Sequence, residues 1–260
     1  MKCWCWWLIL GALCGLGASC QSGNFGGGRT SHWPQFQPLQ VAPRRGGVTA
    51  SASLSPPSGG ASNAVSMAIL LREIRLRQDL VARGTHGRKV VRRMSPAYIT
   101  IHSTANYSAG AAQHALALKR GTLRSGKRPG GNRIGYLIWH FTADDREAIQ
   151  HLPTSEQGEH ADYNGPGNRS SIGIEMCENR GGNRSTTVER TAKLAAVLMV
   201  RHRIPLRNVV PHYHWPRWDK HPPHKNCPSF LLDNGRPGAK WRAFQNRVNF
   251  HYQRLTARTA

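Results

Sequence analysis

The stretch Ala97–Asn106, AYITIHSTAN, decides how this chain folds. Its β-branched and aromatic residues suit a buried, pleated strand, and the Ser, Thr and Asn that follow are typical of a turn. The strand therefore brings His102 to its carboxyl end, at the mouth of a sheet. A histidine in that place is either a hydrogen-bonded core residue or a functional one. The stretch alone leaves both alternatives open.

Strand and helix patterns alternate around this stretch. The further predicted strands are Ile134–Ala143, a strand through Ala148–Gln150 after the turn DDRE, Ser171–Cys177 and Asn208–Pro211. The predicted helices are Val65–Val81, Gly110–Arg120, Ser185–Arg203 with a capping box of Thr186 and Glu189, and Trp241–Tyr252. This order predicts an α/β fold with a mixed central β-sheet flanked by helices.

One carboxylate, Glu175, interrupts the apolar strand Ser171–Cys177. A buried carboxylate is costly unless it is paired, linked to a metal or catalytic. Later in the chain, soft metal-binding side chains crowd together: His212, His214, His221, His224 and Cys227. Two imidazoles and a thiolate, drawn from His102 and this cluster, would suit zinc. A histidine-rich loop without a metal explains the cluster equally well.

The first 72 residues differ from the rest in composition. Residues 1–20 contain the apolar run WWLILGALCGLGA, which is too short to span a bilayer and predicts an export signal. The sequence GASC resembles a lipoprotein processing site at Cys20, although Gly17 stands where Leu is usual. Lipidation at Cys20, plain cleavage and an uncleaved anchor all remain open. Residues 21–72, rich in Gly, Ser and Pro, predict a flexible linker that leads into a folded domain at 73–256.

The charge balance restricts the class of partner. Lys and Arg number 36 against 13 Asp and Glu, which gives a formal net charge of +23. Such a balance favours a polyanionic partner, which is nucleic acid, an anionic membrane surface or an acidic cell-wall polymer. No basic motif interleaved with aromatic residues, and no known nucleic-acid module, is present in the sequence. The prediction is therefore an anionic cell envelope and no nucleic acid.

Five motifs between Tyr98 and Phe244 resemble, in order, those of the type 2 N-acetylmuramoyl-L-alanine amidases, relatives of phage lysozyme-type amidases and peptidoglycan recognition proteins. They are YITIHSTAN, WHFTADDREAIQHLP, GEHADYNGPGNRSSIGIEMCEN, VVPHYHW and KNCPSFLL. The resemblance implies a zinc hydrolase whose catalytic domain occupies 73–256, and the predicted export signal adds that it is exported to the cell envelope. Its substrate would be the amide between N-acetylmuramic acid and L-alanine in peptidoglycan or muropeptides. The alternative is a peptidoglycan-binding module without catalysis.

The resemblance also assigns roles to individual residues. The implied zinc ligands are His102, His212 and Cys227, which leaves His214 and His224 as bystanders. Glu175 is implied as the proton-transferring residue and Lys225 as the cation that stabilises a developing oxyanion. His160 is expected to line the substrate groove, with a structural loop histidine as the alternative. The segment His214–Lys225 is longer than is usual in the family, and it is either a wall over the site or a surface loop.

Overall fold

The structure is a computed structural model that describes residues 64–126, 134–217 and 220–257. The predicted export signal at 1–20, including Cys20, and the predicted linker up to residue 63 lie outside the described residues. The elements of the described part are α1 (Met67–Ile74), β1 (Leu76–Gln78), β2 (Tyr98–Ser103), α2 (Ala111–Arg120), β3 (Phe141–Ala143), β4 (Ala148–Gln150), α3 (Pro166–Ser170), β5 (Ser171–Met176), α4 (Arg184–His202), β6 (Val209–Pro211) and α5 (Ala239–Thr256). None of the described helices is long and apolar enough to cross a membrane.

The strands form a sheet in the order β1-β4-β3-β5-β2-β6. The strands β3, β5, β2 and β6 run parallel, β3 and β4 form an antiparallel hairpin, and β1 runs parallel to β4. The turn DDRE closes this hairpin, as the sequence predicts. The prediction of a mixed central sheet flanked by helices is confirmed.

The two faces of the central strands differ in chemistry. β2 and β5 pair in register from Tyr98↔Ser171 to Ser103↔Met176, and successive side chains of a strand point to opposite faces. One face, here called the apolar face, is packed in one cluster with residues of α1, α4 and α5: Ile99, Ile101, Ile172, Ile174 and Met176. The other, here called the polar face, carries Thr100, His102, Ser171, Gly173 and Glu175.

The helix α2 covers the face of the sheet opposite α4, near the sheet edge. Ala148 belongs to the apolar-face cluster, whereas its neighbour Ile149 packs with Ala111 and Ala115 of α2. Adjacent residues of a strand point in opposite directions, so α2 lies on the face opposite α4. Helices therefore flank both faces, and the central polar face is left for loops to cover.

The start of the folded domain differs from the prediction. Arg75 takes a left-handed conformation with φ 52°, and its N–H bonds to the carbonyls of Leu71 and Arg72. This cap ends α1 at Ile74, so the predicted helix 65–81 is wrong beyond that point. Leu70 and Ile74 are fully buried in the core. The predicted boundary between linker and domain at residues 72 and 73 therefore falls inside a packed helix, and the domain begins before residue 73.

Two further predictions need correction. The amino-terminal cap of α4 is Asn183, whose Oδ1 accepts from the Thr186 N–H at 2.9 Å. Glu189 instead accepts from His251 Nε2 of α5 at 2.9 Å, so the predicted capping box is wrong. The predicted strand 134–143 is reduced to β3, because Gly135 has φ 78° and only isolated bridges form before Phe141.

Candidate metal centre

Three neighbouring strands end at the same place. His102 lies near the carboxyl end of β2, Glu175 is its partner on β5, and His212 follows β6 directly. Ligand sites in open α/β sheets lie outside the carboxyl ends of such parallel strands. Cys227 joins them from a loop, since its carbonyl accepts from the Tyr213 N–H at 3.1 Å. The sheet topology thus gathers residues that are up to 125 positions apart (227 − 102).

The three predicted ligands converge. One potential ligand atom from each of His102, His212 and Cys227 lies within 4.8 Å of the others, and all three residues are buried. The two Nδ1 atoms of His102 and His212 are 2.8 Å apart. Whether these two nitrogens share a proton or can bind a cation depends on which nitrogen of each ring carries the hydrogen.

The tautomer of His102 follows from its neighbour His160. His160 Nε2 lies 3.3 Å from the Ser171 carbonyl, which can only accept, so this nitrogen carries the proton. His160 Nδ1 is then an acceptor, and it lies 3.0 Å from His102 Nε2. His102 therefore donates from Nε2 and presents a bare lone pair on Nδ1.

His212 is oriented in the same way by backbone. Its Nε2 lies 3.0 Å from the Ala161 carbonyl and donates to it, which leaves the Nδ1 lone pair facing that of His102. Burial lowers the pKa of both rings, that of His212 to about 3, and the charge of Lys225 adds to the effect. Two neutral acceptors at 2.8 Å cannot bond to each other. They fit a metal cation, and the outer hydrogen bonds are those that metal-binding histidines commonly make.

Cys227 completes this donor set. Its Sγ lies 3.4 Å from the Ser103 N–H, and burial raises the pKa of its thiol to about 12. Without a cation the thiol therefore keeps its proton at neutral pH. A metal binds the thiolate, so loading of the site would release that proton.

Glu175 stands beside the ligands without being one of the converging group. Its Oε1 lies 3.8 Å from His102 Nδ1, and its Oε2 is buried without a hydrogen-bond partner among the described residues. Burial raises the pKa of the carboxyl to about 7, while the charge of Lys225 opposes that rise. A carboxyl group with such a pKa can both accept and donate a proton near neutral pH.

His160 is held by two glycines. A Cβ at Gly158 would lie 2.5 Å from His160 Cδ2, and one at Gly173 would lie 2.8 Å from His160 Nδ1. Only glycine lets the ring reach His102. The ring also borders a cavity of about 210 Å³, but both of its nitrogens already bond to the protein. Its predicted part in binding substrate stays a prediction, and the geometry adds an orienting role.

Sequence reasoning missed the residues that support the ligands. Asn168 Oδ1 accepts from the N–H groups of His160 and Ala161 at 2.8 Å each, which fixes the loop that orients both histidine ligands. His140 donates from Nε2 to the Glu156 carbonyl and accepts at Nδ1 from the Gly173 N–H. Both lie inside the resemblance motifs. Their positions were therefore available in the sequence, but nothing in the residue types indicated their partners.

His214 and His224 of the late cluster make contacts away from the candidate ligands. His224 stacks on Tyr213 at 4.7 Å between ring centroids and bonds to its carbonyl at 2.7 Å. The His214 ring contacts Trp215. Neither belongs to the converging group. The segment is closed by a bridge between Pro216 and His224, and it places Arg217 on the wall of the cavity. Of the two alternatives, it contributes a wall.

Comparisons with known proteins agree with this architecture. The family model Amidase_2, described as N-acetylmuramoyl-L-alanine amidase, matches residues 92–230. N-acetylmuramoyl-L-alanine amidase XlyA of Bacillus subtilis (strain 168) is 43% identical over 159 residues, which are 60% of this chain and 47% of that protein. N-acetylmuramoyl-L-alanine amidase CwlH of the same organism is 40% identical over 160 residues, 60% of this chain and 54% of the relative. The chain thus spans about half the length of these curated relatives.

Solved structures give the same result. The catalytic domain of XlyA superimposes with a TM-score of 0.54 and 40% identity, over 66% of this chain and 98% of that domain. The structure of PlyL superimposes with a TM-score of 0.51 and 29% identity, over 67% of this chain and 96% of the other. The family model covers more than half of the sequence, and it includes the strands that carry His102 and Glu175 as well as His212, which follows β6. The chain belongs to the type 2 N-acetylmuramoyl-L-alanine amidase family.

Proposed function

We propose that this chain hydrolyses the amide bond between N-acetylmuramic acid and L-alanine in peptidoglycan, with zinc held by His102, His212 and Cys227. The observation that carries the proposal is the pair of histidine lone pairs that face each other beside a buried thiol and the buried Glu175, whose Oε2 has no hydrogen-bond partner among the described residues. Membership of the family supports the identity of the bond. Two neutral imidazoles and a thiolate form a donor set that zinc prefers, and three protein ligands leave a position open for catalysis.

Zinc bound there would supply Lewis-acid activation of water and of the amide carbonyl. Glu175, with a pKa raised to about 7, accepts a proton from the attacking water and delivers it to the leaving amine nitrogen. Lys225 lines the adjoining cavity, and its charge stabilises the oxygen that becomes negative as the carbonyl is attacked. His160 and Asn168 hold the ligands in place and need no contact with substrate to do so.

The reaction is tested with the purified full-length protein, peptidoglycan and zinc, with and without a chelator. We expect free stem peptides that begin with alanine and glycan strands with intact sugars, both detected by mass spectrometry, and no release after chelation. New reducing ends would indicate a glycosidase, and cuts within the peptide would indicate a peptidase. Binding to peptidoglycan without release of peptides would favour the alternative of a binding module.

The metal assignment is tested by metal analysis. We expect one zinc per chain in the wild type, and loss of the metal in His102→Ala, His212→Ala and Cys227→Ala. His214→Ala is the matched control, because this histidine lies two residues from a ligand and contacts Tyr98 and Trp215 instead. Retention of zinc by His212→Ala with loss by His214→Ala would contradict the assignment.

We also propose that the protein is exported to an anionic cell envelope, with Cys20 as a candidate lipid anchor. The apolar run within residues 1–20 and the net charge of +23 support this proposal. Mass spectrometry of the mature amino terminus from a native host tests it. An acylated Cys20 would establish the anchor, a cleaved but unmodified terminus would establish export alone, and an intact Met1 on cytosolic protein would contradict both.

A further inference from the structure

The cavity beside the ligands is lined by three cationic side chains. Arg124, Arg217 and Lys225 all border it, together with the ligand His212. The charges of Arg217 and Lys225 lower the pKa of His212, so both cations lie close to the candidate metal centre. Among the described residues, no ion pair joins any of the three cations to a carboxylate. The cavity therefore holds an excess of positive charge next to the candidate metal centre.

Arg217 is held rigidly in this wall. Its backbone N–H donates to the Pro223 carbonyl at 2.6 Å, and its Nη2 donates to the Pro222 carbonyl at 2.9 Å. Its Nε is buried and has no acceptor among the described residues. A guanidinium offers five donors in a planar fork, so one end of this group is anchored while a buried donor remains unsatisfied. A carboxylate in the cavity can accept from the Nη groups of this fork, whereas the buried Nε is out of its reach.

One acidic group of the protein also borders the cavity. Glu159 has an Oε2 without a partner, and burial raises the pKa of its carboxyl to about 7. Its negative charge is therefore partly suppressed at neutral pH and is attracted towards Arg92. The cavity therefore keeps a net positive charge.

We propose that Arg217, assisted by Arg124, binds the free α-carboxylate of the second residue of the peptidoglycan stem peptide. This inference rests on the proposed function. In stem peptides whose second residue is linked through its γ-carboxyl, the α-carboxyl is left either free or amidated. Two extended residues span about 7 Å, so this group lies about that far from the bond being cut, and the cavity that Arg217 lines also borders the candidate ligand His212. The hairpin that carries Arg217 would then distinguish the free acid from the amide.

The experiment compares two soluble N-acetylmuramoyl peptides that differ only in a free or an amidated α-carboxyl at the second residue. For the wild type we expect a KM about 10-fold lower for the acid than for the amide, with similar kcat, in line with one hydrogen bond to a charged group. In Arg217→Gln the KM for the acid should rise about 10-fold and that for the amide should not change. Arg217→Lys, which keeps the charge, should restore part of the preference.

The matched control is Arg207→Gln, which removes the same charge from an exposed arginine before β6. It should leave both KM values unchanged. Equal KM values in the wild type, or an equal rise for both substrates in Arg217→Gln, would overturn the inference. If Arg217→Gln does not fold, the wild-type comparison and Arg217→Lys still decide. Failure of the wild type to cut either peptide would instead contradict the proposed function, and calorimetric binding of the two peptides would then test the subsite separately.

Discussion

The two faces of strands β2 and β5 are built from alternating residues of the same short segments, yet they serve different ends. On the apolar face, Ile99, Ile101, Ile172 and Ile174 are completely buried in one cluster with residues of α1, α4 and α5. On the polar face, one position along, His102 and Glu175 carry unsatisfied lone pairs and a perturbed carboxyl. Residues that stabilise the fold and residues of the candidate site therefore alternate along the same two strands. Substitutions on the two faces should therefore fail in different assays.

The largest expected effect lies on the polar face. Glu175→Gln should lower kcat by about 10²–10⁴-fold, because it removes proton transfer, while zinc content stays at the wild-type level. The melting temperature should not fall, since the variant removes a carboxyl that burial already disfavours in its charged form. Kinetics on a soluble muropeptide, metal analysis and calorimetry measure the three quantities.

The control for this variant is Glu73→Gln, on the exposed side of α1, where the carboxylate pairs with Lys193. It should leave kcat unchanged. Loss of zinc together with activity in Glu175→Gln would show that the carboxylate helps to hold the metal, and the division of roles on the polar face would be wrong.

The apolar face should show the opposite pattern. Ile174→Ala is expected to lower the free energy of unfolding by about 2–5 kcal/mol, because the cavity it leaves is closed in by α4 and its neighbours. Activity per folded molecule should stay within about twofold of the wild type. Ile69→Ala is the control, since Ile69 is 45% exposed and its truncation should cost well under 1 kcal/mol. A large fall in kcat in fully folded Ile174→Ala would show that the apolar face also contributes to activity.

Lowering the pH should reduce the stability of the protein through His140, which bonds to Gly173 of the polar face. His140 is fully buried, burial lowers its pKa to about 4, and its Nδ1 accepts from the Gly173 N–H. The unfolded chain binds the proton near pH 6.5 and the folded chain near pH 4, so stability rises with pH in that window. Stability should therefore fall as the pH is lowered from about 6.5 to 4, by at most about 3 kcal/mol for this group.

Thermal unfolding of the metal-free protein across this pH range measures how steeply its stability changes with pH. His140→Gln, whose amide can donate and accept as the neutral ring does, should give a shallower pH dependence than the wild type. An unchanged slope would mean that His140 is not the titrating group. The other buried histidines would then carry the effect.

The smallest expected effect concerns the orientation of a ligand. His160→Gln should weaken zinc binding about 10–100-fold, because His102 loses the acceptor that fixes its tautomer. His160→Asn can place an amide oxygen near the site of Nδ1, and it should keep more of the affinity. Competition with a chromophoric chelator measures both, with His202→Gln in the last turn of α4 as the control. Equal zinc affinity in all three variants would show that His160 only lines the cavity and does not orient His102.

The sequence predicts the framework well where the signal is strong and local. The β-branched run at 98–101 and the apolar strand at 171–176 predict the paired central strands, and the lone Glu175 marks the polar face. The strand through Ala148 and the DDRE turn also have local signals. A three-residue strand such as β1, with Arg and Gln among its residues, has no alternation to detect. The helix cap is Asn183, three residues before the Thr186 of the predicted capping box, because either residue type is a favourable cap in the sequence alone.

The candidate site was only partly predictable. Residue types alone single out Glu175, His102 and the late cluster of histidines with Cys227. Only the resemblance selects His212 and Cys227 as partners of His102, because residues over 100 positions apart show no spacing that identifies a shared site. Arg217 had no signal, since its place depends on a hairpin between Pro216 and His224 that no local pattern indicates. Asn168 and His140 act through backbone groups, whose positions are set by the tertiary fold.

The glycines around His160 have a consequence for any survey of substitutions in this chain. Neither Gly158 nor Gly173 has a positive φ, so backbone strain is not what requires them. Alanine at Gly173 would push a methyl group against the imidazole and tilt it away from His102. In a comprehensive mutational scan read out by wall lysis, both positions should therefore score with the zinc ligands rather than with the turns. Two residues that have no functional group would be mapped as part of the reaction centre.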